Sequence, residues 1–139
     1  MYLRHYLTIS SICIFFFMGC AQGPGNDPNL VNSVVEKFPN IVSADPPDGA
    51  QQVLMTSVVQ VTFDKSMDEG NMKNAFLLQE TLGGVVDGNV VVNEMTVVFT
   101  PTSPLKSQTS YIVIIASSAT DSEGQSLAGS LFWSFTTGV

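Results

Sequence analysis

A chain of 139 residues has room for one domain and little more. Hydrophobic residues make up 45% and charged residues only 12%, with Val, Thr, Ser and Gly favoured over Ala, Glu and Lys, so the composition supports a packed core of strands and excludes wholesale disorder. The net charge of −7 repels phosphate backbones, which excludes nucleic acid as a partner, and it opposes docking onto anionic lipid through surface charge.

The first element is an address. Arg4 and His5 form a short basic start, and Tyr6 to Met18 is an almost wholly apolar, uncharged run. That run has the length of a secretory h-region and falls short of the roughly 20 residues that span a bilayer. It ends in Phe17-Met18-Gly19-Cys20. This ending resembles the lipobox of bacterial lipoproteins, although Phe17 and Met18 depart from the usual Leu and small residue. The resemblance implies a signal peptide over 1–19, diacylglycerol on the Cys20 thiol and cleavage just before it. The membrane would then be a partner through the lipid, since two or three acyl chains hold firmly where one does not. Secretion without a lipid and an uncleaved anchor are the competing readings. Cys13 leaves with the apolar run, so Cys20 is the sole mature cysteine and no disulfide forms within one mature molecule.

Residues 20–39 read as the lipidated cysteine and a tether, rich in Gly, Pro, Asn and Asp at first, with Val31, Val34 and Val35 later. Ala21 and Gln22 lack the aspartate that retains many such lipoproteins in the inner membrane, which by that family rule points to the outer membrane or cell surface.

From Asn40 onward, short β-rich runs alternate with turn signals. Ile41–Ala44 enters and Asp45-Pro46-Pro47-Asp48-Gly49 breaks it. Gln52–Met55 is a short edge piece. Val58–Phe63 alternates, with Val59, Val61 and Phe63 facing one way and Gln60 and Thr62 the other. Asn71–Ala75 fits one helical turn, and Phe76–Glu80 is a further strand. Val85–Asn93 and Met95–Thr100 form a hairpin about Asn93-Glu94, with Gly88 a candidate bulge. Tyr111–Ala116 is continuously apolar, which predicts a central strand covered on both faces, and Leu131–Thr137 is the last strand. About seven strands fit in about a hundred residues, which predicts an all-β sandwich.

The order of landmarks resembles the bacterial Ig-like domain of the SbsA type, over residues 40–137. The matching pieces are Pro46-Pro47-Asp48-Gly49-Ala50, Val61-Thr62-Phe63-Asp64-Lys65-Ser66-Met67-Asp68, Thr96-Val97-Val98-Phe99-Thr100-Pro101, Leu105, Thr109-Ser110-Tyr111-Ile112-Val113, Asp121-Ser122-Glu123-Gly124, Leu127 and Trp133-Ser134-Phe135-Thr136-Thr137. The resemblance implies a Greek-key Ig-like sandwich of two packed antiparallel sheets. Phe63, Phe99, Trp133 and Phe135 then fill the space between the sheets. Met67 and Leu105 plug the two ends, and Tyr111 makes a tyrosine corner. Gly49, Gly124 and Gly129 fall where positive φ is commonly required.

The chemistry available to such a domain is narrow. The one histidine, His5, lies in the address, so Ser-His-Asp and Cys-His catalysis and zinc sites built on His or Cys are excluded. There is no Gly-rich phosphate loop. Carboxylates remain: Asp64, Asp68 and Glu69 in one loop, Asp121 and Glu123 in another. Asp64, Asp68, Asp121 and Glu123 are weak calcium candidates, short of an EF-hand in their oxygens. Paired carboxylates can also cleave glycosides, but no sugar platform accompanies them. The alternative is that Asp64 and Asp121 bond nearby backbone and shape turns. The expectation is a non-enzymatic envelope lipoprotein with no cofactor, serving in adhesion or scaffolding with a protein or glycan partner. A pure spacer, or a polysaccharide-associated module acting through the loop acids, stands beside it.

Overall fold

The computed structural model describes residues 37–139; the expected signal peptide, Cys20 and nearly all of the expected tether lie outside the described residues. Eight strands and one helix follow in order: β1 (Ile41–Asp45), β2 (Ala50–Val53), β3 (Val59–Phe63), α1 (Glu69–Ala75), β4 (Phe76–Glu80), β5 (Gly88–Asn93), β6 (Thr96–Pro101), β7 (Ser110–Ile115) and β8 (Leu131–Thr137). They form two four-stranded sheets, ordered β1-β3-β6-β5 and β2-β8-β7-β4. Only the β5–β6 and β7–β8 connections stay within a sheet; the others cross the sandwich.

Period-two alternation drives the layering. In β3, Val59, Val61 and Phe63 are buried while Gln60 is exposed. Phe99 in β6, Tyr111, Val113 and Ile115 in β7, and Trp133 and Phe135 in β8 meet them in one core. Tyr111 stacks on Phe135 with ring centroids 5.6 Å apart, and Phe76 stacks on Phe99 at 5.2 Å. The Trp133 indole N–H donates to the Pro46 carbonyl at 3.0 Å, so this buried ring also leaves no polar atom stranded.

Several expectations are corrected. There are eight strands, because the chain around Asp45–Gly49 changes sheets: β1 pairs antiparallel with β3, then β2 joins the other sheet beside β8. The chain keeps its heading across that break, so β2 runs parallel to β8, and the second sheet is not purely antiparallel. Residues 85–87 precede β5 as an irregular segment, and its register with β6 is unbroken from Gly88 to Asn93, so no bulge occurs at Gly88. What glycine permits there is close approach: a Cβ would fall 2.3 Å from the Phe99 ring. The strand Ser110–Ile115 is central but covered on one face only, with Ile112 and Ile114 half-buried on the outer face. Gly49 and Gly124 have positive φ (75° and 88°), whereas Gly129 does not. The helical turn is longer than expected because Asp68 caps it, its carboxylate accepting the Asn71 N–H at 2.8 Å, and Met72 and Ala75 anchor it in the core.

The registers place the loops at two ends. The base holds the incoming chain at Lys37–Asn40, the segment from Asp64 through α1, the Asn93–Thr96 turn and the long Ala116–Ser130 loop. The far end holds the β2–β3, β4–β5 and β6–β7 loops.

Candidate functional site

The loop acids all sit at the base. Asp121, only 2% exposed, is the centre of the arrangement. A short turn closed by the Gly124 N–H on the Asp121 carbonyl folds the loop back, and Gly124 supplies the positive φ that turn needs. This aims two backbone N–H groups at Asp121 Oδ1: Glu123 at 3.0 Å and Gln125 at 2.8 Å. The other oxygen accepts Lys65 Nζ at 2.8 Å, and Glu123 Oε2 lies 3.4 Å from the same ammonium. Met67 and Asp121 pair as an isolated bridge, and the Ser122 N–H reaches the Ser66 carbonyl at 2.8 Å, so the two loops are stapled along their length. Lys65, Ser66, Asp121, Ser122 and Glu123 line a surface depression of about 390 Å³.

Charge states follow from these contacts. Burial pushes the Asp121 carboxyl up, but Lys65 and the two backbone donors outweigh it and leave it below the ordinary value. The hydrogen bond to Asp121, with Glu123 adding, raises the Lys65 ammonium above 10.5 against its desolvation. Both groups stay charged at neutral pH, and both Asp121 oxygens are engaged, Oδ1 by two backbone N–H groups and Oδ2 by Lys65.

Asp64 serves a different contact. Its carboxylate accepts the Asn40 N–H at 2.8 Å and pairs with Lys37 Nζ at 2.6 Å, while the Asp64 N–H returns to the Asn40 carbonyl at 3.0 Å. The Lys37 hydrogen bond, with Asn40 adding, lowers Asp64 to about 2. This clamp fastens the incoming chain to the end of β3. Asp68 is committed to the helix cap. The structure therefore brings Asp121 and Glu123 together around Lys65 and gives Asp64 and Asp68 separate duties. Among the described residues, no three His, Cys, Asp or Glu side chains gather into a metal-sized group.

Of the core candidates, Phe63, Met67, Phe99, Leu105, Tyr111, Trp133 and Phe135 are all buried. The Tyr111 hydroxyl accepts the Lys106 N–H at 2.8 Å, which is the upstream backbone bond expected of a tyrosine corner. Lys65, Lys37 and Asn40 were not among the sequence candidates. The signal that could have found Lys65 is scarcity, since only 4 Lys stand against 12 acids in the chain beyond residue 19.

Comparison with known proteins agrees with this architecture. Residues 35–137 match the family model for the bacterial Ig-like domain. No curated protein matches the chain. Among solved structures, the N-terminal part of the bacterial S-layer protein SbsC superposes with a TM-score of 0.55 at 18% identity, covering 73% of this chain and 24% of that one. The chain thus spans about a quarter of that S-layer fragment. CopC from Methylosinus trichosporium OB3b superposes with a TM-score of 0.59 at 14% identity, covering 73% of this chain and 94% of that one. At such identities the likeness is one of fold. With a sandwich whose core, corner and end plugs are built from the landmark residues, and a family match over most of its length, this chain belongs to the bacterial Ig-like domain family.

Proposed function

We propose that this protein is a lipid-anchored envelope protein that uses its Ig-like domain as a non-catalytic binding or scaffolding module. The observation that carries the reading is the domain match over 35–137 lying directly behind Phe17-Met18-Gly19-Cys20. Family membership supports a structural or binding role, and the S-layer likeness supports a place at the cell surface. The direction of the domain fits a tether, because the incoming chain is clamped at the base by Asp64. The far end then presents loops with bare apolar side chains, including Leu54 (72% exposed), Leu82 (100%) and Val85 (60%). No described helix is long and apolar enough to cross a membrane. Attachment rests on Cys20 in this reading. The base carboxylates are fasteners, with the Lys65 ammonium standing where a cation would have to bind.

The test is palmitate labelling of cells expressing the wild type and Cys20→Ala. Labelled wild type at the membrane, with an unlabelled variant released to the soluble fraction, supports the anchor. A Cys20→Ala variant that remains membrane-bound overturns it.

A further inference from the structure

Lys37–Asn40 brings the chain in at the base, where Asn40 meets Asp64. β8 runs the other way out, from Leu131 beside Ile115 at the base to Thr137 beside Thr109 at the far end. Drawing the incoming chain and the end of β8 apart therefore loads the sandwich along its strands.

Two strands stand first in the path of such a load. β1 is held by β3, in a register broken between Ile41 and Ser43. β2 follows after the Asp45–Gly49 break and is an edge strand whose one neighbour is β8. β2 and β8 run parallel, with Ala50 opposite Phe135 and Val53 opposite Thr137, so both point from base to far end. The incoming chain draws β2 by its base end, while β8 is drawn by its far end.

Direction decides what the bonds between them feel. Strands drawn from the same end part like a zipper, with one hydrogen bond bearing the load at a time. Parallel strands drawn from opposite ends slide past each other, and all their bonds stretch together. One hydrogen bond contributes little to stability. Several that must break at once raise the barrier to unfolding, which is what a forced rupture reads.

The contacts of the β2–β8 seam follow one another in the same order along both segments. The Trp133 indole N–H donates to the Pro46 carbonyl at 3.0 Å, and the Ser134 N–H to the Asp48 carboxylate at 3.0 Å. The Gly49 N–H donates to the Ser134 carbonyl at 2.7 Å, and the Gly138 N–H to the Val53 carbonyl at 2.9 Å. The contacts of Pro46, Asp48 and Gly49 precede β2, so the seam is longer than the four residues of that strand. β8 is not drawn off first. It pairs with β7 from Leu131 to Thr136, and the Thr137 hydroxyl holds the Lys106 carbonyl at 2.6 Å.

We infer that the β2–β8 pair is a mechanical latch, which keeps the domain folded when the anchored base and a partner at the far end are drawn apart. The inference rests on the reading of the base as the anchored side. A module fixed in the envelope at one end and gripped at the other meets axial load, and this seam lies in the direction that resists it.

Single-molecule force spectroscopy on the full chain, made without export so that the Cys20 thiol stays free, tests the latch. With Cys13→Ser and Val139→Cys the chain is held at Cys20 and at position 139, which shears the seam. With Cys13→Ser, Cys20→Ser, Leu54→Cys and Val139→Cys it is held at two exposed far-end positions, which peels β2 from β8. Unfolding should need a several-fold higher force in the first arrangement. Asp48→Ala removes one contact at the base end of the seam. It should lower the force in the first arrangement and leave the second unchanged, because peeling starts from the Val53–Gly138 bond at the other end. Lys73→Ala, which cuts an exposed pair on α1 outside the load path, should leave both unchanged. Equal forces in the two arrangements overturn the inference. So does an Asp48→Ala effect that is the same in both or absent from both, or a loss with Lys73→Ala as large as that with Asp48→Ala. Palmitate labelling reads the anchor alone and the force measurement needs no lipid, so each can fail without the other.

Discussion

At the far end of the sandwich, the Tyr111 hydroxyl accepts the Lys106 N–H at 2.8 Å, and the Thr137 hydroxyl donates to the Lys106 carbonyl at 2.6 Å while accepting the Thr109 N–H at 3.0 Å. Leu105 is buried beside them. At the base, the same task of fastening a long loop over the core falls to Lys65, Asp121 and Glu123 with Met67 buried beneath. One seal is made of neutral hydrogen bonds and the other of an ion pair with backbone donors. The hydrogen bonds of the far seal join uncharged groups, and the ion pair beside them, Lys106 Nζ to Glu80 at 2.7 Å, is made by an exposed lysine side chain. The base seal depends on two charges persisting. A single fold thus closes its ends with devices that respond differently to solution conditions, and perturbing each end separates them.

The largest effect is expected between the ends. Trp133→Ala removes a buried ring and the bond to Pro46, and should cost about 3–5 kcal/mol in urea unfolding, a large fraction of the stability of a domain this size. Loss on that scale would show that the core, not either seal, dominates stability. Tyr111→Phe comes next. It keeps the stacking on Phe135 and strands the Lys106 N–H, so about 1–3 kcal/mol should be lost. That loss should be the same at low and neutral pH and in high salt. A pH-dependent loss would break the contrast between the ends.

The contrast itself was only half visible in the sequence. The Tyr111 corner and the inward Phe99, Trp133 and Phe135 were legible through the family resemblance, and the inward face of β3 followed from strict alternation. The Lys65–Asp121 pair spans 56 residues of sequence, and nothing local states that two loops so far apart meet. The acids of both loops were visible as a cluster of possible oxygen ligands, and their partners were not. Pairing direction was hidden for a similar reason. The side chains of β2 do not record whether its neighbour runs with it or against it. The Ile112–Ile114 face misled because a continuous apolar run is compatible with burial on two faces or on one.

At the base, the expected response is to acid. The folded Asp121 carboxyl titrates below its ordinary 3.8, so its contribution is complete above that value and fades as pH falls through the lower folded value. Asp64, lowered to about 2, adds to the same acid slope. Lys65 has the opposite sign: raised above 10.5, its contribution is present below that value and is lost as pH climbs past it. Asp121→Asn should therefore be less stable than wild type at pH 7, and the two should converge as pH drops from 4 toward 2. Urea midpoints across that range measure it. A gap that stays constant would mean that Asp121 acts through its backbone bonds alone, which would make the base resemble the far end.

The smallest expected effect is that of calcium. Binding would require Asp121 to give up Lys65 or its two backbone donors, and Asp64 to release Lys37 or Asn40, where the chain enters the domain. Each exchange trades a formed contact for one whose remaining ligands would have to come from exposed Glu123 and solvent. The melting temperature should therefore be the same in chelator and in millimolar calcium. The ion should also leave the acid sensitivity of the wild type unchanged, because the charges that produce it are already neutralised by lysine. A rise in melting temperature that disappears in Asp121→Asn would show the ammonium displaced by the metal and turn the base from a fixed ionic seal into a ligand-dependent one.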